Sequence, residues 1–523
     1  MVNIKFKTVK KNNTILNTKE FTEFINIFSC PLISYANYAL SKKDKESILN
    51  THFLGKSHSV ASRLEEVLDH YNSINNMKWK SFRENVAAVK LFTNATYITL
   101  HIKSTSPQYQ LLSGIDKFLE DTNIVLDIFY SALQSSFNEL VKNGERNALE
   151  NCAEFEGNFS FSVNFPVGIL ETDINKRHID APEKVIVNLA TSYLNLASES
   201  LLLKKIEKRY NAEYEKLIPD VISENIIRTL ESKYHNLQSL YDTYIANTDI
   251  EDMDNDLKLI RGHVSIVYHL LEASTDLIHY FERHIMDPAG LNNSYYQSPL
   301  SKEEVLGILS DYFLNYASQF LTAGVTLCRE VIKNYAVQGS ISVNVPAYRG
   351  FHVRPSTLIS KIVQHYGSEV YLVIDNERYN AAHPMELFCV NEKINAEKRR
   401  NLSRVICELN SIKIPESIRD FKKGMKNIFL ELLEGNKIIN YYSEFSLPDF
   451  DPVEEETLGE FANRVIAFLL AQGKIDLKTN LTVSFEGDRR VLADLEILAN
   501  CGYGEDNYGN NIVLPNELSY IRR

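Results

Sequence analysis

In the stretches VIVNLATSYLNLASESLLLKKI and VSIVYHLLEASTDLIHYF the apolar residues recur three and four positions apart, and residues 182 to about 337 keep that spacing almost throughout. This spacing buries one stripe of a helix and is incompatible with a strand, which buries every second residue. The block therefore predicts a helical bundle or a set of long helices. Asn292 to Ser301, NNSYYQSPLS, is its expected exposed loop.

Strand periodicity appears in short pieces on either side. Gly157-NFSFSVNFP-166 and Gly339-SISVNVP-346 alternate apolar and polar residues between an initial Gly and a final Pro. Both contain Ser-x-Ser-Val-Asn-x-Pro, starting at Ser160 and Ser340, and each follows a helical pattern, FYSALQSSFNELVKN or DYFLNYASQFLTAGVTLCREVIKN. A weaker third copy runs from RDFKKGMKNIFLELLEG through the strand Tyr441 to Pro448 to LGEFANRVIAFLLAQG. The start of the chain, IKFKTVKK followed by TKEFTEFINIF, reads as a fourth. The recurrence suggests duplicated α+β modules. At 523 residues the chain needs several cores.

Bulk properties exclude some classes. The first residues, MVNIKFKTVKKNNT, lack the continuous apolar stretch of a secretory signal, and no run is long enough to cross hydrocarbon, so a cytoplasmic protein without membrane insertion is expected. Cys30, Cys152, Cys328, Cys389, Cys407 and Cys501 are scattered without zinc-site spacing and are expected to be reduced, with no metal bound. A net charge of -12 argues against an extended nucleic-acid surface. The one basic run, Lys398 to Arg400, reads as a solvated helix face.

The segment from Tyr348 to Val363, YRGFHVRPSTLISKIV, carries the most specific chemistry. Pro355 suits a first helical turn, where its missing N–H costs nothing, and Leu358, Ile359, Ile362 and Val363 continue as a helical stripe. His352 thus stands at the mouth of a helix, where free amides and the positive end of the dipole favour a phosphoryl group on the imidazole. Arg354 adds a guanidinium fork, and Gly350 allows a sharp turn that leaves the ring accessible. An imidazole is nucleophilic when neutral and leaves readily when protonated, so reversible transfer needs no metal, cofactor or general base.

Gly350-Phe-His352-Val-Arg354-Pro355-Ser356-Thr357 matches Gly-x-His-x-Arg-Pro-[Ala/Ser]-[Ser/Thr], the active-site signature of HPr, the phosphocarrier of the sugar phosphotransferase system. The segment 341 to 390 resembles that family beyond the motif. A strand ISVNV, the helix to about His365, an exit at Tyr366-Gly-Ser, strands Glu369 to Ile374 and Glu377 to Asn380 about an Asp375-Asn376 turn, and an apolar segment Met385 to Cys389 follow in order. The resemblance covers about a tenth of the chain. It implies His352 as the phosphorylated residue, with the amides of Val353 and Arg354, beside Gly350 and Pro355, holding the phosphate. It further implies an Enzyme I-like donor docking on Ser356, Thr357, Met385 and Phe388, and an open-faced β-sandwich with an antiparallel sheet. Where many members carry a regulatory serine this chain has His383 beside Pro384, so that control route is not expected. A helical segment, about Ile394 to Leu433, interrupts the pattern before its last strand, which the strand near Tyr441 or a later one would supply. Residues from LGEFANRVIAFLLAQG to NNIVLP repeat an HPr-like order without a histidine and read as a degenerate copy.

The expected fold class is therefore α+β, with one or more HPr-like sandwich modules and a large helical region. The domain plan is 1–155 N-terminal and mostly helical, 156–337 strand plus bundle, 338–437 the carrier with its insertion, and 438–523 a degenerate carrier. The alternative to a phosphocarrier is a non-catalytic scaffold of such modules, with the downstream acceptor and the oligomeric state left open by the sequence.

Other histidines carry weaker signals. His178, followed two residues on by Asp180 where His352 is followed by Arg354, fits an inactive copy, because an acid repels phosphate. His269, Glu272, Asp276 and His279 share a helix face but lack a matching carboxylate helix, so a hydrogen-bonded face is favoured over a metal site. His58 loosely resembles a sensor-kinase phosphoacceptor, yet no ATP-binding glycine pattern, P-loop, GxSxG or HExxH accompanies it.

Overall fold

The computed structural model describes residues 15–106, 115–149, 171, 175–204, 216–286, 296–409, 418–435, 437–441, 448, 450–453, 456–478 and 481–522. The strand expected at Ser160, the one at the chain start and most of the one at Tyr441 lie outside these residues. Internal contacts divide the chain into two units, the first comprising Met1–Asp180 and Leu196–Leu327, the second Ala181–Asn195 and Cys328–Arg523.

The first unit is helical. Its long helices are α1 (Thr18–Ser41), α2 (Thr51–His70), α3 (Lys80–Thr105) and α4 (Ile115–Arg146). The end of α5 (Pro182–Glu199) follows, then α6 (Glu224–Tyr244), α7 (Asn255–Tyr280) and α8 (Lys302–Gly307), which continues through a π-turn, Ile308–Leu314, into α9 (Asn315–Tyr335). Asn50 starts α2 by accepting the Phe53 amide at 2.8 Å, and Ser301 with Glu304 forms a capping box on α8. The core is aromatic. Phe82, Phe92, Phe118, Phe129, Phe137 and Tyr280 are fully buried, and Phe92 meets Tyr280 edge to face at 5.0 Å.

The second unit holds both sheets. Strands β1 (Gln338–Asn344), β2 (Val370–Ile374), β3 (Glu377–Asn380) and β6 (Thr482–Asp488) form one antiparallel sheet in the order β1-β6-β2-β3. Strands β4 (Ile438–Asn440) and β5 (Ile475–Leu477) pair separately. The turn between β2 and β3 places Asp375 and Asn376 at positive φ, as a two-residue hairpin requires. Helix α10 (Val353–Tyr366) ends where Gly367 takes the left-handed conformation. Helix α14 (Arg489–Asn500) begins at Asp488, whose carboxylate accepts the Arg490 amide at 2.9 Å. Burial pushes the Asp488 carboxyl up, but the bonds from Arg490 and Ser368 outweigh it and hold the group below its usual range.

The sheet buries Val343, Leu372 and Phe485 against Ile359, Ile362 and Val363 of α10 and Leu492 and Leu495 of α14. A second core gathers the C-terminal part of α11 (Pro384–Leu409) with α12 (Ile418–Glu434), α13 (Leu458–Ala471) and the β4–β5 pair, burying Ile406, Met425, Phe429, Phe461, Val465 and Ile475.

These observations correct the expected fold class. The protein is mostly helical, and among its described residues the sheets number two, of four and two strands, so it is not an α+β chain of open-faced sandwich modules. Residues 438–523 do not form a degenerate copy either. Of their strands, β5 pairs with β4, while β6 leaves to run between β1 and β2, with Ile341 and Leu372 both opposite Phe485. The physical reason is that β2 alternates buried Val370 and Leu372 and has an edge open beside β1, which only a strand from later in the chain fills. Gly487 makes the fit possible, since a Cβ there would lie 2.6 Å from the Glu369 carbonyl.

Candidate functional site

The turn ahead of α10 is held from both sides. Arg349 and Gly350 both have positive φ, 51° and 60°, and Asn391 on α11 bridges them. Its Oδ1 accepts the Phe351 amide at 3.0 Å and its Nδ2 donates to the Arg349 carbonyl at 3.0 Å. A Cβ on residue 350 would fall 2.1 Å from that Oδ1, so the glycine answers a close approach as well as a left-handed backbone. Phe351, fully buried against Phe485 and Tyr503, anchors the turn to the sheet. Buried Ser356 donates to the Phe351 carbonyl at 2.9 Å.

His352 is the N-cap of α10, in extended conformation, and its ring makes no capping bond. The first-turn amides of Val353 and Arg354 are therefore not taken by it, and a helix supplies them no acceptor of its own. The imidazole is 22% exposed. Its Nδ1 lies 3.1 Å from the Gly350 carbonyl, its Nε2 lies 3.1 Å from a carboxylate oxygen of Glu505, and Tyr348 meets it edge to face at 5.3 Å. Both nitrogens face oxygen acceptors, and the choice of donor is one of tautomer. Arg354 brings its Nε to 3.8 Å from Glu505, too far for a hydrogen bond, and that buried Nε has no hydrogen-bond partner among the described residues.

The other expected site residues fall in three places. Gly350 and Pro355 lie in the turn and first helical turn as described, with Pro355 buried. Val353 is 65% exposed beside His352, and Thr357 is exposed, donating to the Val353 carbonyl. Ser356, expected on the docking surface, is withdrawn from it by burial and its bond to Phe351. Met385 is 72% exposed and Phe388 half-buried, and both belong to the first turns of the long α11 rather than to a short apolar segment.

The basic run also behaves differently from expectation. Lys398 is 3% exposed, with its Nζ 3.3 Å from Asp476 on β5, whereas Arg399 and Arg400 remain exposed. Asp476 in turn accepts the Arg349 amide at 2.8 Å, tying β5 to the His352 turn.

Among the other histidines, His178 contacts Asp249 and lies 3.9 Å from Asp180. His269 pairs with Glu272 at 3.0 Å, Asp276 accepts from Asn94 at 2.7 Å, and His279 pairs with Glu224 at 2.9 Å, so the helix-face groups are taken up by different partners. Among the described residues no group of three or more His, Cys, Asp or Glu side chains is arranged to hold a metal. His58 Nδ1 faces the Lys90 carbonyl at 3.1 Å. Cys30 takes part in a disulfide, which corrects the expectation that all six cysteines are reduced. No described helix is long and apolar enough to cross a membrane.

Glu505 and Asn391 are the site residues that sequence reasoning missed. Glu505 follows Gly-Tyr-Gly, three residues all at positive φ, and that tight curl was the available signal. Its partner lies 153 positions earlier, which no local pattern encodes. No protein-family model, curated protein or solved structure matches the chain.

Proposed function

We propose that the second unit is a histidine phosphocarrier of the HPr type, accepting a phosphoryl group on His352 from an Enzyme I-like donor charged by phosphoenolpyruvate, and relaying or signalling it. The observation that carries this reading is that His352 caps α10 without spending its ring on the cap, beside an Arg354 whose buried Nε has no hydrogen bond. A phosphoryl group there would meet helix amides, the positive helix end and a guanidinium.

With Nε2–H donating to Glu505 the lone pair lies on Nδ1, which would attack once the ring turns it from the Gly350 carbonyl, 3.1 Å away. The N–P bond to the donor's histidine breaks as the new N–P bond forms, and the proton on Nε2 stays with the ring. No group on the protein needs to take up a proton, so its contribution is position and field. Exposed Val353, Ile512 and Val513 line a shallow groove beside the first turns of α10 that would receive the donor. The reading implies a cytoplasmic location, where phosphoenolpyruvate is made. The Cys30 disulfide presses against that, because such bonds are rare in reducing compartments.

A non-catalytic scaffold is the second reading, favoured by the carboxylate of Glu505, 7% exposed, standing on the ring where it would repel phosphate. Incubation of the full chain with phosphoenolpyruvate and Enzyme I separates the two. The carrier gains acid-labile phosphate that His352→Ala abolishes; an unlabelled wild type, or equal labelling of both, supports the scaffold.

A further inference from the structure

Beside His352 lies a cleft of about 460 Å3 that the carrier reading does not use. One wall is the His352 turn with Arg349, the second is a face of α11 carrying Asn391, Asn395, Lys398 and Arg399, and the third is the end of α13 with β5. The spacing of those α11 residues puts them on adjoining turns of one helix face. The volume suits a small molecule.

The chemistry of the walls selects its charge. Asp476 is already shared among donors, accepting from the Arg349 amide at 2.8 Å, the Leu477 amide at 2.7 Å and Lys398 at 3.3 Å. Lys398 has no other hydrogen bond among the described residues, so a buried ammonium at the cleft wall keeps N–H donors unspent. Asn395, half-buried, makes none. Arg399, exposed at the cleft, has no ion-pair partner among the described residues, and neighbouring Glu397 pairs with Arg400 at 2.9 Å. Three cations, Arg349, Lys398 and Arg399, thus face two carboxylates, Glu392 and the occupied Asp476, in a chain whose net charge is -12. Unsatisfied buried donors cost stability unless something accepts from them.

We infer that this cleft binds a small organic oxyanion, a phosphate ester or a carboxylate, held by Lys398 inside and Arg399 at the mouth, with Asn395 between them. The site stands apart from the carrier reading, since neither Lys398 nor Arg399 touches the His352 ring. Asn391, which shares the helix face with them and clamps the turn at Gly350, makes an occupied cleft sensitive to the state of that turn.

Titration calorimetry on the full chain tests it with glucose 6-phosphate, citrate and inorganic phosphate as probes and glucose as the uncharged control. At least one anion is expected to bind saturably while glucose does not, and glucose 6-phosphate against citrate tells phosphate from carboxylate. Arg399→Gln is expected to weaken binding by about tenfold or more. Arg404→Gln, on the same helix but outside the cleft, leaves it in place, and because binding is read on the unphosphorylated chain without Enzyme I, failure of the carrier reading is distinguishable from failure of this one. Lys398→Gln, checked for native circular dichroism, also loses affinity. The inference is overturned if no anion binds at about 10 mM, if glucose binds as well as the anions, or if Arg399→Gln binds like the wild type.

Discussion

Two guanidiniums, one in each unit, are handled in opposite ways. In the helical unit Arg83, 13% exposed, meets Asp69 at 2.8 Å, Glu65 at 3.2 Å and Glu84 at 3.7 Å, and Lys90 adds a further contact to Glu65. In the second unit Arg354 reaches, among the described residues, a single carboxylate at 3.8 Å, and its buried Nε has no acceptor there. The first arrangement is complete in itself. The second keeps binding capacity in reserve, as expected where a ligand or transferred group supplies the missing acceptor.

The largest effect is expected in the core of the second unit. Phe485 lies in the strand between β1 and β2, and Phe485→Ala is expected to cost about 3–5 kcal/mol. Hydrogen exchange read by mass spectrometry should then lose protection in β1, β2 and α10 while α3 and α7 keep theirs. Equal loss in both sets would mean that the units do not fold separately.

Next in size is the turn itself. Gly350→Ala meets both a positive φ and the Asn391 oxygen, and a cost of about 2 kcal/mol is expected, with loss of phosphate labelling. Denaturant melts and labelling check it; a variant as stable as wild type would contradict the described turn.

The helical unit offers a pH test. Burial pushes the Asp276 carboxyl up to about 7, reinforced by Glu272 and Glu231 and opposed by the Asn94 bond. The folded chain therefore keeps a proton that the unfolded chain releases near its ordinary value, so stability contributed by this group falls as pH rises from about 4 to about 7. Asp276→Asn should flatten that fall by about 1–2 kcal/mol between those limits, followed by thermal melts. An unchanged slope would remove Asp276 from the account.

The smallest effect sharpens the role of Glu505. Glu505→Gln keeps an acceptor for Nε2–H and removes the charge facing a phosphoryl group, so the phosphorylated fraction at equilibrium should rise about three- to tenfold. A fall would mean that the full negative charge is what the transfer requires.

Local signals carried parts of this structure. Asp375-Asn376 marked the β2–β3 hairpin, and Pro355 with Gly367 bracketed α10. Long-range pairings were invisible. The strand β6 looked like part of a separate C-terminal copy because its alternation says which residues turn inward but not which strand lies alongside. Lys398 looked like a solvated charge because its partner Asp476 sits 78 residues later. Met385 to Cys389 looked short because Leu387, Val390 and Ile394 continue the helical stripe through polar neighbours. The motif residues around His352 were legible, and the carboxylate on its ring was not.

The most direct measurement is to locate the label. After incubation with phosphoenolpyruvate and Enzyme I, the chain is digested at alkaline pH and its peptides are mapped by mass spectrometry. The account predicts one acid-labile phosphoryl group on the peptide containing His352, stronger in Glu505→Gln and absent in His352→Ala. Label on a different histidine, or none on a chain that circular dichroism finds folded, would contradict it.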